Sequence, residues 1–90
     1  MRVQDKVVVV TGGGNGIGRA LCRRFAAEGA GAVIVADIEH EAARKVAAEI
    51  CGWNLTIDVA SESDIQMLVD EVLKKYGHID LFCSNAGVGV

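Results

Sequence analysis

Thr11-Gly12-Gly13-Gly14-Asn15-Gly16-Ile17-Gly18 gathers a hydroxyl and five glycines into eight residues, directly after the four valines Val7 to Val10. Behind it, Ile17, Ala20, Leu21 and Phe25 recur at helical spacing among Arg19, Arg23 and Arg24. The order is therefore a buried strand, a glycine turn and an amphipathic helix. The first amides of a helix have no internal partner and carry the positive end of its dipole, and residues without Cβ let an anion approach them. The chemistry this predicts is phosphate binding. Nineteen residues after Gly18 stands Asp37, at about the interval from which a carboxylate takes the ribose hydroxyls of a dinucleotide.

The spacing of the glycines narrows the ligand. G-x-G-x-x-G fails, because Gly12 would require glycine at Ile17 and Gly14 would require it at Arg19. The triphosphate loop G-x-x-x-x-G-K-[ST] is met at Gly13 and Gly18, but Arg19-Ala20 replaces the lysine and the magnesium-binding hydroxyl. Thr11-Gly12-x-x-x-Gly16-x-Gly18 remains, and in it the chain resembles the short-chain dehydrogenase/reductase family. An ordinary strand-to-helix turn, with glycines that merely permit close packing, is the competing reading of this motif alone.

The elements around the turn are laid out in order. Strands are expected at Lys6 to Thr11, Ala32 to Ala36 with Asp37 at the exit, Trp53 to Ile57, and Ile79 to Ser84. Helices are expected from about Gly16 to Glu28 with a glycine stop at Gly29 to Gly31, from about Glu39 to Cys51, and from Ser61 to Tyr76. Ser61-Glu62-Ser63-Asp64 has the form of a helix-starting capping box, Lys74 and Lys75 suit the last turn, and Gly77 ends it. Ile65, Leu68, Val69, Val72, Leu73 and Tyr76 form the apolar stripe of that third helix. The alternation β-α-β-α-β-α-β predicts an α/β, doubly wound parallel sheet with strand order 3-2-1-4 if the sheet reverses after the third strand. Ligands of such sheets bind beyond the carboxyl ends of the strands at the reversal.

Composition bounds the rest. Ninety residues, 51% hydrophobic and 23% charged without proline, read as a buried α/β core that forms part of a larger domain. A net charge of −3 with dispersed basic residues argues against nucleic acid or an anionic membrane as partner. The start lacks a signal-peptide core, and no apolar run approaches the roughly 20 residues of a membrane span, so a cytoplasmic protein is expected. Cys22, Cys51 and Cys83 lack metal-site spacing and are expected to be small buried thiols, while His40 and His78 are expected at the surface. No metal site is expected.

The resemblance adds roles, residue by residue. It implies a Rossmann-type fold of which residues 1–90 form the amino-terminal half of the dinucleotide-binding domain. The cofactor would meet Gly12, Gly14, Asn15, Gly16, Ile17 and Gly18 at the turn, and Asp37 and Ile38 after the second strand. Asp58-Val59 resembles the family's pair that meets the adenine, and Asn85-Ala86-Gly87 resembles N-N-A-G with Ser84 in place of the first asparagine. Basic residues at Asn15 or Ile38 would go with NADP, so NAD is implied. The family's serine, tyrosine, lysine and helix asparagine lie downstream of N-N-A-G, and Tyr76, with Asp80 four residues on, does not match Y-x-x-x-K. No catalytic residue is assigned here; the complete protein would act on a small alcohol or carbonyl substrate, is expected to be a homo-oligomer, and the 90-residue chain alone is expected to be inactive. The rival readings are a non-catalytic NAD-binding module, a P-loop phosphotransferase, and a methyltransferase that binds S-adenosylmethionine.

Overall fold

The computed structural model of the chain describes residues 3–85. Four strands, β1 (Val7–Thr11), β2 (Ala32–Asp37), β3 (Trp53–Thr56) and β4 (Leu81–Ser84), alternate with helices α1 (Gly16–Ala27), α2 (His40–Ile50) and α3 (Glu62–Tyr76). All pairings are parallel and the sheet order is β3-β2-β1-β4, with Val9 opposite both Ile34 and Phe82. The reversal between β1 and β4 is the expected one.

The valine run explains why β1 is central. Val8 and Val10 point to one face with Val33 and Val35, where Cys22 of α1 and Ala43, Val46 and Ala47 of α2 cover them. Val7 and Val9 point to the other with Ile34 and Ala36, against Leu68 and Val72 of α3. Both faces of the strand are thus dry, and each fully buried aliphatic side chain contributes roughly 1.5–3 kcal/mol. Trp53 and Tyr76 meet edge to face at the margin of the second layer, with ring centroids 6.2 Å apart.

The helix ends follow their sequence signals with two differences. At α3 the Ser61 hydroxyl accepts from the Asp64 amide at 3.2 Å, as a capping residue does. The Asp64 carboxylate does not return to Ser61; it reaches back to the Asp58 amide at 2.8 Å and so fastens the loop after β3 to the helix. At α2 the left-handed residue is Cys51, with φ of 55°, and its side chain is exposed rather than buried. Glycine is needed one position later, since a Cβ on Gly52 would lie 2.7 Å from the Val33 carbonyl.

Three side chains expected on apolar stripes face out. Ile17 and Ala20 are exposed because the first turn of α1 stands at the rim of the sheet, and the inward face is formed by Leu21, Cys22, Phe25 and Ala26. Leu73 is also exposed, the stripe of α3 being carried by Ile65, Leu68, Val72 and Tyr76.

Asp80 replaces the first rung of the β1–β4 ladder. Its amide donates to the Val7 carbonyl at 2.9 Å and its carboxylate accepts the Val7 amide at 2.7 Å, with His78 Nε2 3.0 Å away. The Val7 amide holds the Asp80 carboxyl below the usual aspartate range, with His78 and Lys6 assisting and burial opposing. A depressed folded-state pKa means that this contribution is present above the unfolded value of about 3.9 and is lost as pH falls through the folded value. In the complete protein, Asp80→Asn should flatten the acid limb of stability below about pH 4, read by denaturant unfolding at stepped pH, with little change in slope at pH 6 to 8. An acid limb identical to wild type would contradict this role.

Candidate functional site

The exits of all four strands meet at one rim, and the glycine turn is its centre. Its shape rests on two different uses of glycine. A Cβ on Gly18 would lie 1.9 Å from the Gly12 carbonyl oxygen, and one on Gly14 would lie 2.7 Å from the Ala42 side chain. Those two residues let the turn fold against itself and against α2. Gly16 is the opposite case: φ is +55° and no atom lies within 4 Å of its ideal Cβ. The space above it belongs to solvent or to a ligand.

The starts of α1 and α3 differ in how their first amides are met. Asn15 is the α1 cap but makes no side-chain cap bond, and the first turn holds no acid. The first intrahelical donor is Arg19, whose amide reaches the Asn15 carbonyl at 3.2 Å, so the amides of Gly16, Ile17 and Gly18 precede the helical ladder. In α3 the same end carries the Ser61 cap and the acids Glu62 and Asp64. α3 satisfies its own positive end with a side-chain cap and two acids, and α1 has neither.

Asp37, 9% exposed at the end of β2, is tied into the turn. One carboxylate oxygen accepts the Gly14 amide at 3.0 Å and the other accepts the Glu39 amide at 3.0 Å. Each oxygen keeps acceptor capacity, and a carboxylate with two acceptor atoms suits a vicinal diol. Ile38 beside it is 62% exposed and Ile17 in the first turn of α1 is 72% exposed.

The remaining residues close the rim. Thr11 donates its hydroxyl to the Cys83 carbonyl at 3.4 Å and accepts the Asn85 amide at 3.1 Å, and the Asn85 side-chain amide reaches the Gly12 carbonyl at 3.4 Å. Asn85 thereby holds the turn to the exit of β4. Asp58 turns its carboxylate onto the Ala60 amide at 2.9 Å, and Val59 packs at the edge of the α3 layer. Ala86 and Gly87 lie outside the described residues. Beneath the turn, burial and then the neighbouring Cys83 push the Cys22 thiol up to about 12, which makes it a packing group rather than a nucleophile.

Sequence reasoning missed a cleft between α1 and α2, of about 410 Å³, that opens beside Gly14, Asn15 and Gly16 and includes Arg19, Glu39 and Glu49. The arginine spacing on α1 was visible, but its partner thirty residues away carried no local signal. Among the described residues no helix is long and apolar enough to cross a membrane.

The two kinds of glycine predict two phenotypes. In the complete protein, Gly18→Ala should lower thermal stability and dinucleotide affinity together, because the turn must open by more than an ångström, at a cost of roughly 1–3 kcal/mol. Gly16→Val should leave a folded protein, strained by about 1–2 kcal/mol at its positive φ, that has lost most of its affinity. Thermal unfolding paired with a dinucleotide titration separates them, and wild-type values for Gly18→Ala would contradict the packing.

Residues 6–90 match the family model described as short chain dehydrogenase. The chain is 46% identical over 93 residues to the meso-2,3-butanediol dehydrogenase of Serratia marcescens, covering 100% of this chain and 37% of that protein. Among solved structures it is similar to a Brucella melitensis 16M protein described as ribose-5-phosphate isomerase, with TM-score 0.91, 39% identity, and 97% of this chain against 34% of that one. It is also similar to a short chain dehydrogenase from Bacillus anthracis, with TM-score 0.87, 32% identity, and 96% of this chain against 36% of that one. The chain thus spans little more than a third of the length of each of these three proteins. The turn, the sheet order and the matched residues agree: the chain belongs to the short-chain dehydrogenase/reductase family, of which it represents an amino-terminal portion.

Proposed function

We propose that this portion binds NAD and that the complete protein is an oxidoreductase that moves hydride between the nicotinamide and a small alcohol or carbonyl compound. The observation that carries the binding reading is the pairing of an uncapped α1 start under the open Gly16 position with the Asp37 carboxylate fastened 3.0 Å from the Gly14 amide. The amides of Gly16, Ile17 and Gly18 receive the pyrophosphate. Asp37 accepts the adenosine ribose hydroxyls, Ile38 and Val59 cover the adenine, and Asp58 meets its amino group. Gly12, Gly14 and Asn15 shape the turn, and Asn85, Ala86 and Gly87 border the adenosine side. When bound, the cofactor supplies the hydride acceptor or donor; these residues bind and orient it. Residues 1–90 are read as the amino-terminal half of the dinucleotide domain, in a cytoplasmic homo-oligomer.

Relatives that share this half bear names as different as butanediol dehydrogenase and ribose-5-phosphate isomerase. That supports placing substrate choice outside residues 1–90. Hydride transfer to a carbonyl needs a positioned acid, and the matched motifs supply none. Phe82 on the edge strand β4 is 39% exposed, an apolar surface that in a parallel sheet is ordinarily covered.

NAD over NADP follows from charge. A 2′-phosphate about 4 Å from the Asp37 carboxylate is repelled by roughly 4 kcal/mol at an effective dielectric of 20, an upper guide of about a thousandfold that solvent reduces. Titration of the complete protein with both dinucleotides should show tighter NAD binding, and Asp37→Ser with Ile38→Arg should narrow or reverse the ratio. Equal wild-type affinities would contradict the assignment. The 90-residue chain made alone should oxidise no alcohol with NAD and should self-associate in sedimentation analysis; a monomeric, active fragment would contradict the division of labour.

A further inference from the structure

The cleft between α1 and α2 begins at Asp37. Gly14 and Glu39, both in its lining, are the residues whose amides donate to the Asp37 carboxylate at 3.0 Å. A substituent on a ribose hydroxyl held by Asp37 has this cleft as its neighbouring space. Two cationic side chains line it, Arg19 and Lys45, against Glu39, Glu41 and Glu49. Glu41 is engaged by Arg44 at 2.9 Å. Arg19 stands directly after the last glycine of the turn and carries the only guanidinium in the lining, the group whose planar fork fits a phosphate.

That guanidinium is held elsewhere. Glu49 of α2 accepts Arg19 Nη2 at 3.1 and 3.4 Å, and also forms an ion pair with Arg23 Nη2 at 3.0 Å. One carboxylate therefore gathers two arginines from successive turns of α1 and draws both toward α2. We propose that Glu49 is a positioning residue for cofactor selectivity: by retaining Arg19 it denies a 2′-phosphate the one guanidinium in its cleft, and so reinforces the preference for NAD. The inference rests on the NAD reading and extends it to a residue that touches no part of the nucleotide. Because the pair is half exposed, the effect is on the scale of one surface ion pair, about two- to fivefold in affinity, and it weakens with salt.

The test uses the complete protein and four forms: wild type, Glu49→Gln, Arg19→Gln and the double variant, each titrated with NAD and with NADP at low and high salt. Glu49→Gln should tighten NADP binding about two- to fivefold at low salt, leave NAD within about 1.5-fold, and lose its gain when Arg19→Gln is added. Equal changes for both cofactors would show a structural role and overturn the proposal. So would a gain for NADP that survives Arg19→Gln. Wild-type protein that binds NADP as tightly as NAD contradicts the NAD reading, whereas the Glu49 effect is read from the NADP ratio of variant to wild type and stands or falls separately. Binding of neither dinucleotide overturns both.

Discussion

A carboxylate buried at the end of a central strand must find donors, and the way Asp37 finds them organises the rim of this protein. Its two oxygens take backbone amides from Gly14 in the glycine turn and from Glu39 at the threshold of α2. Hydrogen bonds to a charged acceptor contribute about 1.5–3 kcal/mol each, so the turn, β2 and α2 are held in fixed relation before any ligand arrives. The same atoms that build the turn are those a ribose would use. Preorganisation of this kind lowers the ordering cost of binding.

The second constraint is steric. Gly18 approaches Gly12 so closely that no side chain fits, and this sets the direction in which α1 leaves the sheet. Around it, Thr11 and Asn85 tie the exits of β1 and β4 to the turn, at the reversal of the sheet where a ligand of a doubly wound fold is expected. Asp80 performs the corresponding task at the other end of the same strand pair. β1 is therefore tied to the β4 segment at both ends by side-chain hydrogen bonds, from the Asp80 carboxylate at its start and through the Thr11 hydroxyl at its exit, which explains how a four-residue edge strand holds its register.

Features with a local cause were legible in the sequence. The valine run, the alternation of elements and the Ser61 cap each depend on neighbours within a few residues and appear as read, with boundaries differing by one or two positions; the strand order, read on the condition that the sheet reverses after β3, is met through the long-range pairing of β1 with β4. Features set by distant partners were not. The stripe of α1 suggested that Ile17 faces inward, yet nothing in its spacing reports that the sheet stops short of the first turn. Cys51 reads in sequence as a small buried thiol because it lacks metal-site spacing, whereas it ends α2 in a left-handed conformation with its side chain exposed. The turn glycines were grouped in sequence as ligand space, while three-dimensional contact separates Gly16, open above, from Gly14 and Gly18, closed by protein. The Glu49 clasp on Arg19 spans two helices and has no sequence periodicity at all.

The central claim is that the glycine turn and Asp37 form a dinucleotide site already in its bound shape. Crystal structures of the complete protein with and without NAD test it directly. The account predicts the pyrophosphate over the amides of Gly16 to Gly18, the adenosine ribose on Asp37, and a Gly14–Asp37 hydrogen bond retained in both states. A nucleotide bound away from the turn, or a turn that must break that hydrogen bond to admit it, would contradict the claim.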